Sequence, residues 1–191
     1  TGSMGVVYKA RDIELDRLVA LKTLFKISAK SVLSADGIMD RMRAEARFAG
    51  NLRHHHIVTV FEIGRDRDTP YIAMDFVEGH GVDSLIGKQG QLPLDVVLRI
   101  VSQVASALDY AHAQGVIHRD IKPANILVRE GGALDGDVAI VDFGVAAIAE
   151  SLEHTPDPGT PAPVVGSAGY MSPEQIRGER LDARSDLFSI A

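Results

Sequence analysis

The chain has 191 residues, 46% of them hydrophobic, with a net charge of −6 and no cysteine. That length holds one domain or two small lobes around a packed core, and the cysteine count excludes disulfides, thiolate metal sites and cysteine nucleophiles. The acidic balance gives no polybasic footprint for nucleic acid or anionic membrane, and no apolar run within it approaches the roughly 20 residues that cross a bilayer.

Taken in chain order, the first elements are strands. Gly5-Val6-Val7-Tyr8-Lys9-Ala10 and Leu18-Val19-Ala20-Leu21-Lys22 are β-branched and apolar, and a charged turn over residues 11–17 separates them. Residues 31–50 contain a helical stretch in which Ile38, Met42 and Ala46 recur among Arg41, Arg43 and Arg47. Strands are predicted at 57–63 and 71–76, split by the turn Gly64-Arg65-Asp66-Arg67-Asp68. Beyond Gly79 the pattern becomes helical. Over 94–114, Val97, Ile100, Val101, Val104, Leu108 and Ala111 are expected on one face, with Gly115 as the stop. Strands at 126–128 and 138–141 bracket a polar turn, and Pro156, Pro158, Pro161 and Pro163 mark 151–163 as a loop. A strand-rich first part and a helix-rich second part predict an α+β chain of two lobes, 1–77 and 78–191, meeting near residues 76–81.

The chemistry concentrates in a few strings. His118-Arg119-Asp120-Ile121-Lys122-Pro123-Ala124-Asn125, followed by Asp142-Phe143-Gly144, puts a proton acceptor, a cation and two oxygen ligands on neighbouring loops. Magnesium takes hard oxygen ligands and completes its shell with phosphate and water, so two protein ligands suffice. Asp142 directly follows an apolar strand, a rigid mount. Lys22 ends another such strand, an odd place for a hydrated cation without a partner. The glycines of Thr1-Gly2-Ser3-Met4-Gly5-Val6-Val7 would let backbone approach phosphate oxygens, although an ordinary hairpin turn explains them equally. Metal binding is not expected of His54-His55-His56, because consecutive side chains diverge on a helix or strand.

Together these strings resemble the signature set of serine/threonine protein kinases, in the bacterial form of the eukaryotic-like family. The resemblance implies a two-lobed protein-kinase-like fold, with a strand-rich N-lobe and a mainly helical, here incomplete, C-lobe. The first glycine of the loop and the end of the C-lobe fall outside the sequence, so a fragment of low stability and weak activity is expected. The implied activity is transfer of the γ-phosphoryl group of ATP to serine or threonine of proteins, with Mg²⁺ or Mn²⁺, in the cytoplasm.

The same resemblance assigns roles. Asp120 would accept or orient the proton of the incoming hydroxyl, and Lys122, in the serine/threonine form of the loop, would sit by the γ-phosphate. Asn125 and Asp142 would hold Mg²⁺, and Lys22 would hold the α- and β-phosphates and pair with Glu45. Gly2 and Gly5 would cover the phosphates. Val7, Ala20 and Leu127 would sandwich adenine, with Met74 behind it and the backbones of Asp75 and Val77 on its edge. Asp83 is a candidate for the ribose.

His118 and Phe143 would be packing residues, and Asp186 would hold the catalytic-loop backbone. Arg119 would clamp a phosphorylated loop residue, Thr155 or Thr160 with Ser151 weaker, after autophosphorylation in trans. Gly166-Ser167-Ala168-Gly169-Tyr170-Met171-Ser172-Pro173-Glu174 would end the activation loop. Ser172 there replaces the usual alanine, Ser167 a threonine and Ala168 a frequent proline, and Glu174 would pair with an arginine outside the sequence. Two other readings remain compatible with these residues: a pseudokinase or nucleotide-binding docking module, and a small-molecule phosphotransferase.

Overall fold

A computed structural model describes residues 5–24, 50–67, 69–131, 137–143 and 169–191. Its first part is an antiparallel sheet of β1 (Gly5–Asp12), β2 (Arg17–Leu24), β3 (Val60–Asp66) and β4 (Thr69–Asp75), ordered β1-β2-β4-β3. β1 and β2 are joined by a tight turn in which Asp12 Oδ1 accepts the backbone N–H groups of Glu14 and Leu15 at 3.2 and 3.1 Å, the local bonding that makes aspartate a turn former.

β3 differs from the expectation. It runs over Val60–Asp66 rather than 57–63, and the chain reverses at Arg67, where φ is 52°. Gly64 marks a close approach instead of the turn, since a Cβ there would collide with the ring of Tyr71. The expected start at Ile57 instead makes an isolated parallel bridge to Ile140.

The second part carries β5 (Gly79–Gly81), α1 (Val82–Gln89), α2 (Leu94–Ala113), a 3-10 turn (Pro123–Asn125), β6 (Ile126–Arg129), β7 (Val138–Ile140), α3 (Pro173–Arg177) and α4 (Ala183–Ile190). β5, β6 and β7 form a small antiparallel sheet in that order. β5 approaches β6 so closely at Gly79 that a Cβ would strike the Val128 carbonyl.

α2 buries Val96, Ile100, Val104, Ala107, Leu108 and Ala111. Ile100, Val104, Leu108 and Ala111 are buried as expected, but the edge of the stripe differs: Val96 and Ala107 are buried, while Val97 is 37% exposed and Val101 half-buried. Ala107, fully buried, lets the helix pack close to its neighbours, a role that counting large apolar residues misses. α2 ends as Gly115 predicts. Gly115 adopts φ 76°, its N–H bonds the His112 carbonyl at 2.9 Å, and the Val116 N–H bonds Ala111 at 2.9 Å. That double bond pattern closes a helix C-terminus on a left-handed glycine.

Two cores result. The larger joins α2 to Leu52, Ile57, Ile121, Val138, Ile140 and Phe143. The smaller joins Val58, Ile72, Met74, Val77 and Ala139, with Ala20, Leu127 and Val141 against it. β7 contributes to both, so the residues just after it lie where the two cores meet.

Candidate active site in the interlobe cleft

The cleft between the cores has a volume of about 530 Å³. Gly5, Val7, Ala20, Lys22, Met74, Asp75, Val77, Asp120, Lys122, Asn125, Leu127 and Asp142 all line it. Apart from Asp83, every described residue expected at the nucleotide, metal and catalytic positions thus lines one cleft. Gly2, Glu45, Ser151, Thr155, Thr160, Ser167 and Ala168 lie outside the described residues. Asp83 does not line the cleft; it stands at the start of α1, its carboxylate over Gly81.

Strand register explains the upper wall. Lys22 on β2 lies opposite Val7 on β1 and Ile72 on β4, while Ala20 lies opposite Lys9 and Met74. Side chains alternate along a strand and directly opposed residues share a face, so these groups project together. Lys22 is only 6% exposed, and its Nζ lies 2.7 Å from Asp142 Oδ2. At the mouth, the Lys9 ammonium sits 4.4 Å from the Phe76 ring centroid and 3.8 Å from Glu78 Oε1, strapping β1 to the segment after β4.

The lower wall is the loop before the 3-10 turn. Lys122 Nζ donates to Asp120 Oδ2 at 2.6 Å. Asn125 Nδ2 donates to the Asp120 carbonyl at 2.7 Å and to its Oδ2 at 3.1 Å. With both amide protons turned on Asp120, the Oδ1 oxygen of Asn125 is the atom left for a hard cation. The Val141 N–H bonds the Asn125 carbonyl at 3.0 Å, tying this loop to the one that bears Asp142.

Two residues of the site adopt left-handed backbone, Arg119 at φ 70° and Asp142 at φ 67°. For a side chain larger than glycine each costs on the order of 1–2 kcal/mol, so surrounding contacts must hold it there. The support is visible beneath them. Asp186, 1% exposed on α4, accepts the backbone N–H groups of His118 and Arg119 at 2.8 Å each and lies 2.8 Å from His112 Nε2. Burial alone would raise the Asp186 carboxyl, but the His112 hydrogen bond, the His118 ring and the two backbone donors hold it below its ordinary value.

His118 is a second strut. Its Nδ1 accepts the Asp120 N–H at 3.2 Å, so Nε2 carries the proton and donates to the Val141 carbonyl at 2.9 Å. Its ring meets Phe143 edge-on at 4.6 Å. Both residues pack, as the resemblance implies.

At the end of the substrate-side segment, Ser172 is the N-cap of α3, and the Ser172–Gln175 capping box is complete. The serine that replaces alanine therefore starts a helix. Gln175 also donates from Nε2 to the Arg119 carbonyl at 2.6 Å. Sequence reasoning passed over Gln175, although Ser-x-x-Gln is a readable helix-start signature. Glu174, expected to await an arginine, accepts the Ser185 hydroxyl at 2.6 Å, which lowers its carboxyl first among several causes.

The histidine run lies on a turn, where His55 and His56 both approach Asp137, at 3.0 and 3.4 Å. Divergent side chains are thus not what argues against a metal there. His56 Nδ1 already donates to the Val138 carbonyl at 2.9 Å, and Asp137 pairs with Arg129 at 3.1 Å. These bonds pin the turn to β6 and β7. Burial, then His56 and His55, push the His54 imidazole down.

The family model described as "Protein kinase domain" matches residues 1–191. The serine/threonine-protein kinase pkn3 of Myxococcus xanthus is 40% identical over 99% of the chain and 34% of its own length. PknB of Mycobacterium leprae is 40% identical over 99% of the chain and 29% of its own length. The chain thus spans about a third of the length of these curated relatives. The crystal structure of the PknI kinase domain of Mycobacterium tuberculosis superimposes with a TM-score of 0.74 at 30% identity, covering 100% of this chain and 67% of that one. The two-lobed α+β fold and the kinase resemblance are both borne out: this chain belongs to the protein kinase domain family.

Proposed function

We propose that the chain is the catalytic portion of a protein serine/threonine kinase, which transfers the γ-phosphoryl group of ATP to serine or threonine hydroxyls of proteins. The observation that carries this reading is the meeting in one cleft of the Lys22–Asp142 pair and the Asp120–Lys122–Asn125 cluster. The residues fit a magnesium nucleotide. Val7, Ala20, Met74 and Leu127 offer an apolar slot, Lys22 a buried cation for phosphate, and Asn125 Oδ1 with the Asp142 carboxylate hard oxygen ligands. Mg²⁺, when bound, neutralises charge on the β- and γ-phosphates.

In this reading Asp120 receives the proton of the substrate hydroxyl as its oxygen bonds to the γ-phosphorus and the bond to the bridging oxygen of ADP breaks. Lys122 keeps positive charge beside the transferred group, and Asn125 holds the Asp120 carboxylate in place. Phosphoryl transfer asks chiefly for such positioning and charge stabilisation. The finer parts of the reading are the Lys22–Glu45 pair, autophosphorylation in trans at Thr155 or Thr160, the division into lobes at residues 77 and 78, and a cytoplasmic site of action. Among the described residues no helix is long and apolar enough to cross a membrane.

The test is phosphotransfer by the full-length protein with Mg²⁺ and labelled ATP, beside Asp142→Ala. Label on serine or threonine of protein is expected, reduced by about 10²–10³-fold in the variant, the range seen when one charge-stabilising group is removed. Nucleotide binding without transfer would favour a docking module, and label on sugars or antibiotics but not protein a small-molecule phosphotransferase.

A further inference from the structure

We infer that Gln175 is a positioning residue for phosphoryl transfer, its side-chain amide clamping the catalytic loop at Arg119 to the segment that ends at Ser172. The inference rests on the kinase reading above and adds a residue to it. Arg119 stands immediately before Asp120 in left-handed backbone, at φ 70°. A non-glycine residue stays in that region only when its neighbours over-determine it. Both backbone polar groups of Arg119 are bound from outside the loop. Its N–H donates to Asp186 Oδ1 at 2.8 Å from one side, and its carbonyl accepts from Gln175 Nε2 at 2.6 Å from the other. The peptide planes on both sides of Arg119 are thereby fixed, and the second of them leads directly into Asp120.

Gln175 is 7% exposed, and it uses both ends of its amide. Its Oε1 accepts the Ser172 N–H at 2.9 Å while its Nε2 holds Arg119. Ser172 is fully buried and Met171 nearly so, so the turn that delivers Ser172 is firmly seated. A displacement of this turn is passed through one rigid amide to the residue beside Asp120. A cap alone needs only the oxygen of Gln175. The nitrogen bond serves the loop.

That division of labour gives the test. Gln175→Glu keeps the acceptor, and glutamate completes a capping box as well as glutamine does, but it has no donor for the Arg119 carbonyl. Gln175→Met fills similar space and loses both bonds. Thermal stability, ATP KM, kcat and amide hydrogen exchange of residues 117–121 would be measured on the full-length protein and both variants. The expected result is a kcat lower by roughly tenfold in both variants, with ATP KM within about twofold of the parent. Exchange at residues 117–121 should be faster in both, and melting temperature should fall in both, because each leaves the Arg119 carbonyl without its donor.

If Gln175→Glu instead matches the parent in kcat and exchange, Gln175 is a helix cap and the inference is overturned. Failure of the parent itself to transfer phosphate would overturn the kinase reading, and is separable because the exchange measurement does not depend on turnover.

Discussion

The ground beneath the catalytic loop and the floor of the cleft above it are built from similar groups on opposite terms. Beneath the loop, Asp186 is 1% exposed and gathers donors from His112, His118 and Arg119, while Gln175 closes the Arg119 carbonyl. On the floor, two ammonium–carboxylate pairs face each other, Lys22 with Asp142 and Lys122 with Asp120, with side chains between 8% and 22% exposed. The lower network ties backbone groups that are buried or partly so, and leaving such groups unsatisfied costs folding free energy. The upper pairs hold opposite charges that phosphate and a divalent cation can take over, so their loss is a loss of function. Support is made of bonds that stay. The working surface is made of bonds that can be exchanged.

The sharpest way to break this contrast is Asp186→Ala. It strips two buried N–H groups and His112 of their acceptor, and removing one member of a buried charged cluster costs about 3–5 kcal/mol. Denaturant unfolding of the full-length protein should show a loss of that size, against less than half as much for Asp142→Asn. Equal losses would mean that the floor is as structural as its support. Ser172→Ala is expected to cost less, about 1 kcal/mol, the usual worth of an N-cap hydroxyl. It leaves the Gln175–Arg119 bond in place, so it should register in unfolding more than in the geometry of the loop.

The floor was legible in the sequence and the support only in part, for a physical reason. Lys22 is a cation ending an apolar strand, an anomaly that stands out in a string, and Asp120, Lys122, Asn125 and Asp142 stand together in two short motifs that a string also shows. Asp186 was found only through resemblance. Gln175 reaches Arg119 across 56 positions of sequence and His112 reaches Asp186 across 74, and nothing local announces such contacts.

The fold shows the same split. The Gly115 stop was readable because a left-handed C-terminus is a local requirement, whereas the edge of the α2 face was missed because Ala107 matters only against its neighbours. β3 was misplaced by a glycine that serves the Tyr71 ring across the hairpin and makes no turn.

The gentlest probe of the contrast is acid. Asp186 is held below its ordinary value of 3.8, because the donors from His112, His118 and Arg119 outweigh the desolvation that would raise it. A carboxyl whose folded value is depressed contributes stability that is fully present above its unfolded value, and lost as pH falls through the folded one. Asp186→Asn cannot titrate, so the gap in unfolding free energy between parent and variant should shrink below about pH 4. Glu174 is lowered as well and weakens in the same direction, but it is common to both proteins and cancels in the difference. A gap that stayed level down to about pH 3 would show that the carboxylate charge of Asp186 is not what binds the loop. An amide oxygen would then serve as well, and the support would differ from the floor in burial alone.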